Sequence, residues 1–316
     1  MKTIQISNLI VNPAEKIQTM LNIPRTSFSI PINIIHGAKP GPKILITAGI
    51  HGSEYPGIAA TIQLANEIKA EEISGTLIIM PLVNTEAFWL HREQIVPQDH
   101  KNLNRIFPGK ENGTVSEKLA FFFSKEIFPL IDFYIDLHSG DLTEQLLPYV
   151  YYPANQNLEI EQQSKLLATK VNANYIVRSK AIGGAYNYAN TLNIPSILIE
   201  RGGAGLCLPN DITTYIDDLY SILNFLQVTT LPSTNTKYQQ TIFNEMFYIQ
   251  SKNDCCWYPA IKCGTSICKG DFLGQTTDLF GNILDKYFAK NSGTILYFCS
   301  SLATPKGTIL VAYGHP

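Results

Sequence analysis

The stretch PKILITAGIHGSEYPGIAATIQLANEIKAEE, residues 42–72, changes its period midway. PKILITAGIH is an apolar run rich in β-branched residues, as expected of a strand covered on both faces. From Tyr55 onward the apolar positions recur at helical spacing. Between the halves lies GIHGSEYPG, residues 49–57, which sets His51 and Glu54 three positions apart at a strand-to-helix turn.

The same alternation continues along the chain. GTLIIMPLVN, DFYIDLHSG, LPYVYYPA, NYIVRS and PSILIERGG read as strands. SEKLAFFFSKEIFPLI, LEIEQQSKLLATKV, AYNYANTLN and NDITTYIDDLYSILNFLQV read as helices. Strands alternating with helices of this length predict an α/β fold with a mostly parallel or mixed central sheet flanked by helices. After a polar, proline-containing linker at TTLPSTNT, residues 229–236, helical periodicity gives way to short strands and glycine turns. The expected organisation is a catalytic domain over residues 1–230 and a small all-β domain over 234–316. At 316 residues the chain has room for both.

In a sheet of this kind sites form beyond the carboxyl ends of the strands. That rule selects His51 and Glu54, Asn84, His138 and Glu200. A catalytic zinc is usually held by three ligands drawn from His, Glu and Asp, with a fourth position left open. His51 and Glu54 alone form a spacing that arises easily by chance. His138, at a second strand end, completes a two-histidine, one-glutamate set. Asp136 shares the strand face of His138 and serves either to orient its imidazole or as a structural partner. Glu200 ends a fully apolar strand, where partial desolvation suits a general base; a structural pair with Arg201 is the alternative. DHKNLNRIFPG, residues 99–109, offers Asn104 as a donor and Arg105, whose planar fork binds carboxylates; a solvated loop held by Asn side-chain turns is the alternative.

Other classes are disfavoured. A net charge of −2 and a pI near 6.3 provide no electrostatic footprint for nucleic acid or an anionic membrane. MKTIQISNLIVNPAEKIQ lacks a signal-type apolar stretch and no segment reaches membrane-spanning length, so a cytoplasmic location is expected. Six cysteines, Cys207, Cys255, Cys256, Cys263, Cys268 and Cys299, lack zinc-ribbon spacing and read as buried or free thiols.

Taken together, GIHGSEYPG, DHKNLNRIFPG, YIDLHSGD and ILIERGG resemble, in order and form, the succinylglutamate desuccinylase/aspartoacylase family of zinc carboxypeptidase-like hydrolases. The resemblance spans about residues 40–205, and the β-rich tail is similar to that family's C-terminal domain. It implies one Zn2+ per chain bound by His51, Glu54 and His138, with Glu200 as the base and Asn104 and Arg105 gripping the substrate. It also implies a carbonyl-polarising arginine, for which Arg92 is the nearest candidate. Two positions depart from the family pattern: His100 stands where glycine is frequent, and Arg201 follows Glu200 where a small or apolar residue is common.

The expected function is therefore a zinc-dependent deacylase or amidohydrolase acting on a small N-acyl amino acid or N-acyl amine. The expected partner is that small molecule, with neither nucleic acid nor membrane, and homo-oligomerisation is left open. Two alternatives stand beside it. A metallocarboxypeptidase would use the same zinc set on a short peptide, and a non-catalytic metabolite-binding member would keep the fold without turnover.

Overall fold

The computed structural model describes residues 2–233 and 239–316. A nine-stranded mixed sheet forms the centre. Its spatial order is Thr241–Phe243, Tyr175–Ser179, Tyr149–Pro153, Ser196–Glu200, Phe133–His138, Lys39–Ala48, Ser74–Met80, Ser29–His36 and Glu15–Asn22. The four strands Ser196–Glu200, Phe133–His138, Lys39–Ala48 and Ser74–Met80 run parallel side by side. Antiparallel pairing begins on either side, at Tyr149–Pro153 and at Ser29–His36. Two strands from before residue 39, Glu15–Asn22 and Ser29–His36, lie beyond the expected set and lengthen the sheet on the side away from Glu200.

Alternate residues of the parallel strands enter two different cores, which explains why these strands are apolar throughout. Ile44, Ile46, Ile135, Leu137, Ile197 and Ile199 pack on the face covered by the helices Tyr55–Glu67 and Pro209–Phe225. Leu45, Tyr134 and Leu198 point to the other face, covered by Val115–Phe122 and Ala185–Thr191. The segment from Ser116 to Ile131, expected as one helix, is α-helical only to Phe122 and then passes through a π turn and a 3-10 turn. Pro129 ends it.

The β-rich part folds as two sheets around Trp257, Leu273, Ile295, Leu310 and Tyr313. The linker expected at 229–236 runs into residues 234–238, outside the described residues. Strands are shared across it. Thr241–Phe243 pairs in parallel with Tyr175–Ser179 of the central sheet. Glu144–Leu146, which follows the strand carrying His138, pairs with Gly293–Cys299. Among the described residues no helix is long and apolar enough to cross a membrane, and all six cysteines are free.

Arg201 explains one departure noted in the sequence. Its guanidinium turns away from Glu200 and is buried against the helix Pro209–Phe225. There Nη2 donates to Asp218 Oδ2 at 2.6 Å and to the Asn172 carbonyl at 2.8 Å. Asp218 in turn accepts from the Asn172 backbone N–H at 2.6 Å. Burial still pushes the Asp218 carboxyl up to about 6 against the pull of Arg201. Removing one partner of such a pair strands a buried charge. Asp218→Ala is expected to cost about 3–5 kcal/mol of stability, read as a lower urea midpoint; an unchanged midpoint would show that the pair is not structural.

Candidate active site

The turn between the strand Lys39–Ala48 and the helix Tyr55–Glu67 is shaped by two glycines. Gly49 adopts a positive φ of 63°, which an L side chain rarely takes. At Gly52 a Cβ would collide with the backbone of Ala87 and Phe88, so only glycine lets the turn lie against the helix Thr85–Trp89. Glu54 is the N-cap residue of the helix, yet its carboxylate makes no cap hydrogen bond. It is free to point into the sheet's carboxyl end. Asn84, the other polar strand-end residue, caps Thr85–Trp89 by accepting from the Ala87 N–H at 3.3 Å. It is fully buried and structural.

Glu54 holds both histidines. Its Oε1 lies 2.6 Å from His51 Nδ1 and its Oε2 lies 2.8 Å from His138 Nδ1, while Oε2 also accepts from the Ser139 N–H at 3.1 Å. The imidazoles meet edge to face with centroids 5.0 Å apart. All three residues are buried, and one ligand atom from each lies within 4.8 Å of the others. Burial alone would raise the Glu54 carboxyl, but the His138 and His51 charges and hydrogen bonds bring it down to about 2. For His138 burial works against protonation, and the Glu54 and Asp136 carboxylates overcome it and raise the imidazole well above its usual range.

The far nitrogen of each histidine also faces an oxygen. His51 Nε2 is 3.2 Å from Asn102 Oδ1. His138 Nε2 is 3.2 Å from Asp136 Oδ2, an ion-pair distance without hydrogen-bond alignment. The other Asp136 oxygen accepts from Thr47 Oγ1 at 2.7 Å. An acceptor at Nε2 favours the tautomer that leaves Nδ1 with its lone pair, so both rings can present Nδ1 to a cation. Two imidazole nitrogens and one carboxylate, buried and convergent, fit a zinc ion of catalytic type. Among the described residues this is the one such cluster, and no cysteine belongs to it.

The donors open onto a cavity of about 450 Å³. Glu200 lines it from the adjacent strand end, in register with His138. Its Oε2 is buried without a partner, and burial, reinforced by the Glu54 charge, raises its carboxyl well above the usual range. Asn104 and Arg105 also line the cavity. Asn104 Oδ1 accepts from the Ala185 N–H at 2.8 Å, and Arg105 Nη1 donates to the Asn104 carbonyl at 2.8 Å. The structure thus brings His51, Glu54, His138, Glu200, Asn104 and Arg105 to one cavity.

It does not bring Arg92 there. Arg92 is exposed and absent from the cavity wall; its backbone carbonyl accepts from Ser53 Oγ at 3.4 Å. The chain turns at His91 and Gln94, both with positive φ, and Gln94 reaches the cavity instead. Sequence reasoning missed a ring of tyrosines: Tyr149, Tyr151, Tyr186, Tyr248 and Tyr297. It also passed over Asn102, although NLN repeats the residue type two positions before Asn104, and over Asp141 and Glu144. Burial pushes Asp141 up to about 6 and Glu144 up to about 7, each helped by the Glu54 charge. Tyr258, a residue of the β-rich part, is exposed and outside the cavity.

Known proteins share this arrangement of chain. Residues 40–226 match the model of the succinylglutamate desuccinylase/aspartoacylase catalytic domain. An N-alpha-acetyl-L-2,4-diaminobutyric acid deacetylase of Halomonas elongata is 31% identical over 186 residues, covering 58% of this chain and 54% of that protein. The match thus spans about half the length of that curated relative. Among solved structures, the product-bound ectoine utilization protein EutE (DoeB) of Ruegeria pomeroyi superposes with a TM-score of 0.89 at 24% identity, covering 100% of each chain. A succinylglutamate desuccinylase of Silicibacter sp. gives 0.83 at 23% identity over 95% of this chain and 94% of that one. At these identities the two structures establish the fold.

The oxygens behind the histidines set an expectation for metal affinity. Asn102→Ala and Asp136→Ala should each weaken zinc binding by about 10–100-fold, as loss of such partners typically does. Competition against a chromophoric chelator measures this; unchanged affinity in both would show that neither orients its imidazole.

Proposed function

The chain belongs to the succinylglutamate desuccinylase/aspartoacylase family, and from that membership we propose that it is a zinc-dependent deacylase hydrolysing the amide of a small N-acyl amino acid or related N-acyl amine. One observation carries the reading. The His51, Glu54 and His138 donor set and a buried Glu200 oxygen without a protein partner face the same cavity. The likeness to an N-alpha-acetyl-L-2,4-diaminobutyric acid deacetylase supports a small N-acetylated amino acid as substrate.

His51, Glu54 and His138 would hold the zinc, which when bound supplies Lewis-acid chemistry, acidifying water and polarising a carbonyl. Glu200 acts as the base. Its carboxylate takes a proton from the water that attacks the acyl carbon, then delivers it to the amine nitrogen as the C–N bond breaks. Products are a free carboxylate and a free amine. A cation held by the donor set would oppose the burial and the Glu54 repulsion that raise the Glu200 carboxyl, and so would favour its base form. Arg105 and Asn104 bind a substrate carboxylate. Arg105 presents its fork, and Asn104, with Oδ1 committed to Ala185, offers its amide N–H groups. The tyrosine ring, closed by Tyr248 and Tyr297 of the β-rich part, excludes bulk water and sizes the cavity for a small amide.

Glu200→Gln should retain zinc and lower turnover by about 10²–10⁴-fold, whereas His51→Ala and His138→Ala should lose the metal. Zinc content measured beside rates on N-acetyl amino acids, N-succinyl amino acids and short peptides tests the whole reading. Full activity of Glu200→Gln removes it as the base. Release of C-terminal residues from peptides, with no N-acyl amino acid cleaved, would identify a carboxypeptidase instead.

A further inference from the structure

Gln94 lines the cavity, half-buried, and has no part in the chemistry assigned to Glu200, Asn104 and Arg105. Its side-chain Oε1 accepts from Asn102 Nδ2 at 3.3 Å. The local fold arranges that meeting. Ile95–Val96 pairs antiparallel with Lys101–Asn102, Ile95 stands opposite Asn102, and Gln94 directly precedes Ile95. The Gln94 backbone is held as well. With a positive φ of 35° its N–H donates at 3.2 Å to Oδ2 of the buried Asp141. The other Asp141 oxygen accepts from Ser53 Oγ, and Ser53 lies between the donors His51 and Glu54. One carboxylate thus ties the turn that carries two metal donors to the residue that grips Asn102.

Asn102 serves His51 in one orientation only. Its Oδ1 accepts from the Asn104 backbone N–H at 2.8 Å and faces His51 Nε2 at 3.2 Å. Nδ2 is what remains for Gln94. Turned over, the amide would set its NH2 against the Asn104 N–H and against Nε2, and would draw the imidazole proton to Nδ1. Nδ1 would then carry a hydrogen in place of the lone pair a cation needs. The Asn104 N–H resists that turn from one side. The Gln94 acceptor resists it from the other, because an amide N–H that loses its partner is unfavourable.

Resting on zinc at the His51, Glu54 and His138 donors, we propose that Gln94 is a positioning residue for the metal site, holding His51 through Asn102 in the tautomer that presents Nδ1 to the ion. The contacts run from Gln94 to Asn102 to His51, and Asp141 fixes where they start.

A double-substitution cycle tests this. Zinc affinity is measured by chelator competition for wild type, Gln94→Met, Asn102→Asp and the two changes together. Methionine keeps the side chain's length and loses the carbonyl acceptor. Aspartate offers an oxygen on both sides, so no partner is needed to orient it. Gln94→Met alone should weaken zinc binding by about 3–10-fold. Beside Asn102→Asp the same change should weaken it by less than about twofold. Equal losses in both backgrounds would show a general packing role and overturn the proposal, as would unchanged affinity of Gln94→Met alone. Should Gln94→Met fail to fold, judged by its thermal midpoint, Gln94→Ala takes its place in the same cycle. Wild type without affinity for zinc removes the metal reading and this role together; tight wild-type binding with no coupling between positions 94 and 102 removes only the role of Gln94.

Discussion

Everything at this site depends on one carboxylate bridging two imidazoles. Glu54 reaches His51 Nδ1 with one oxygen and His138 Nδ1 with the other, and that is possible only because the strands carrying the histidines are adjacent and parallel. Their carboxyl ends lie side by side, and the helix after the first strand begins with Glu54. Had the strands been antiparallel, the two histidines would lie at opposite ends of the sheet. The sheet's direction is thus a requirement of the chemistry as well as of the core.

Charge supplies the next constraint. Around two histidines stand five carboxyl groups: Glu54, Asp136, Asp141, Glu144 and Glu200. Of these, Asp141, Glu144 and Glu200 are raised, first by burial and in each case also by Glu54. So many buried acids are unfavourable as anions unless a positive charge sits among them. A divalent cation held by His51, Glu54 and His138 would provide that charge.

What the sequence makes legible is what the local chain determines. His51, Glu54, His138 and Glu200 each end or follow an apolar run, so strand-end logic finds them without knowing strand order. Asn104 and Arg105 are legible for a different reason, since their loop is too polar and too specific for a plain connection. Arg92 shows the limit. Its distance along the chain from Asn104 says nothing about the left-handed turns at His91 and Gln94 that turn the backbone and leave its side chain in solvent. The tyrosine ring was illegible because its members come from four separate segments and meet only through tertiary packing. Asn102 was hidden by its neighbour: in NLN both asparagines look alike, and only the fold shows that one contacts His51 and the other caps a helix.

The β-rich part illustrates why access to a site cannot be read from domain composition. Its compositional boundary falls at the polar linker, yet the hydrogen-bond ladders cross that boundary twice. Glu144–Leu146 starts only six residues after His138, which ends the strand Phe133–His138, and joins the sheet of Gly293–Cys299, carrying Glu144 and Leu146 into the cavity wall. Thr241–Phe243 returns to the central sheet and directs the following strand, Glu245–Gln250, so that Tyr248 and Gln250 reach the same wall. A cover joined by two ladders has less freedom to swing aside than one held by a linker alone. The cavity's breadth is therefore set by tyrosines on fixed strands, and its size of about 450 Å³ falls within the range typical of small-molecule sites. Under the proposed deacylase reading, such a cavity suits a small amide.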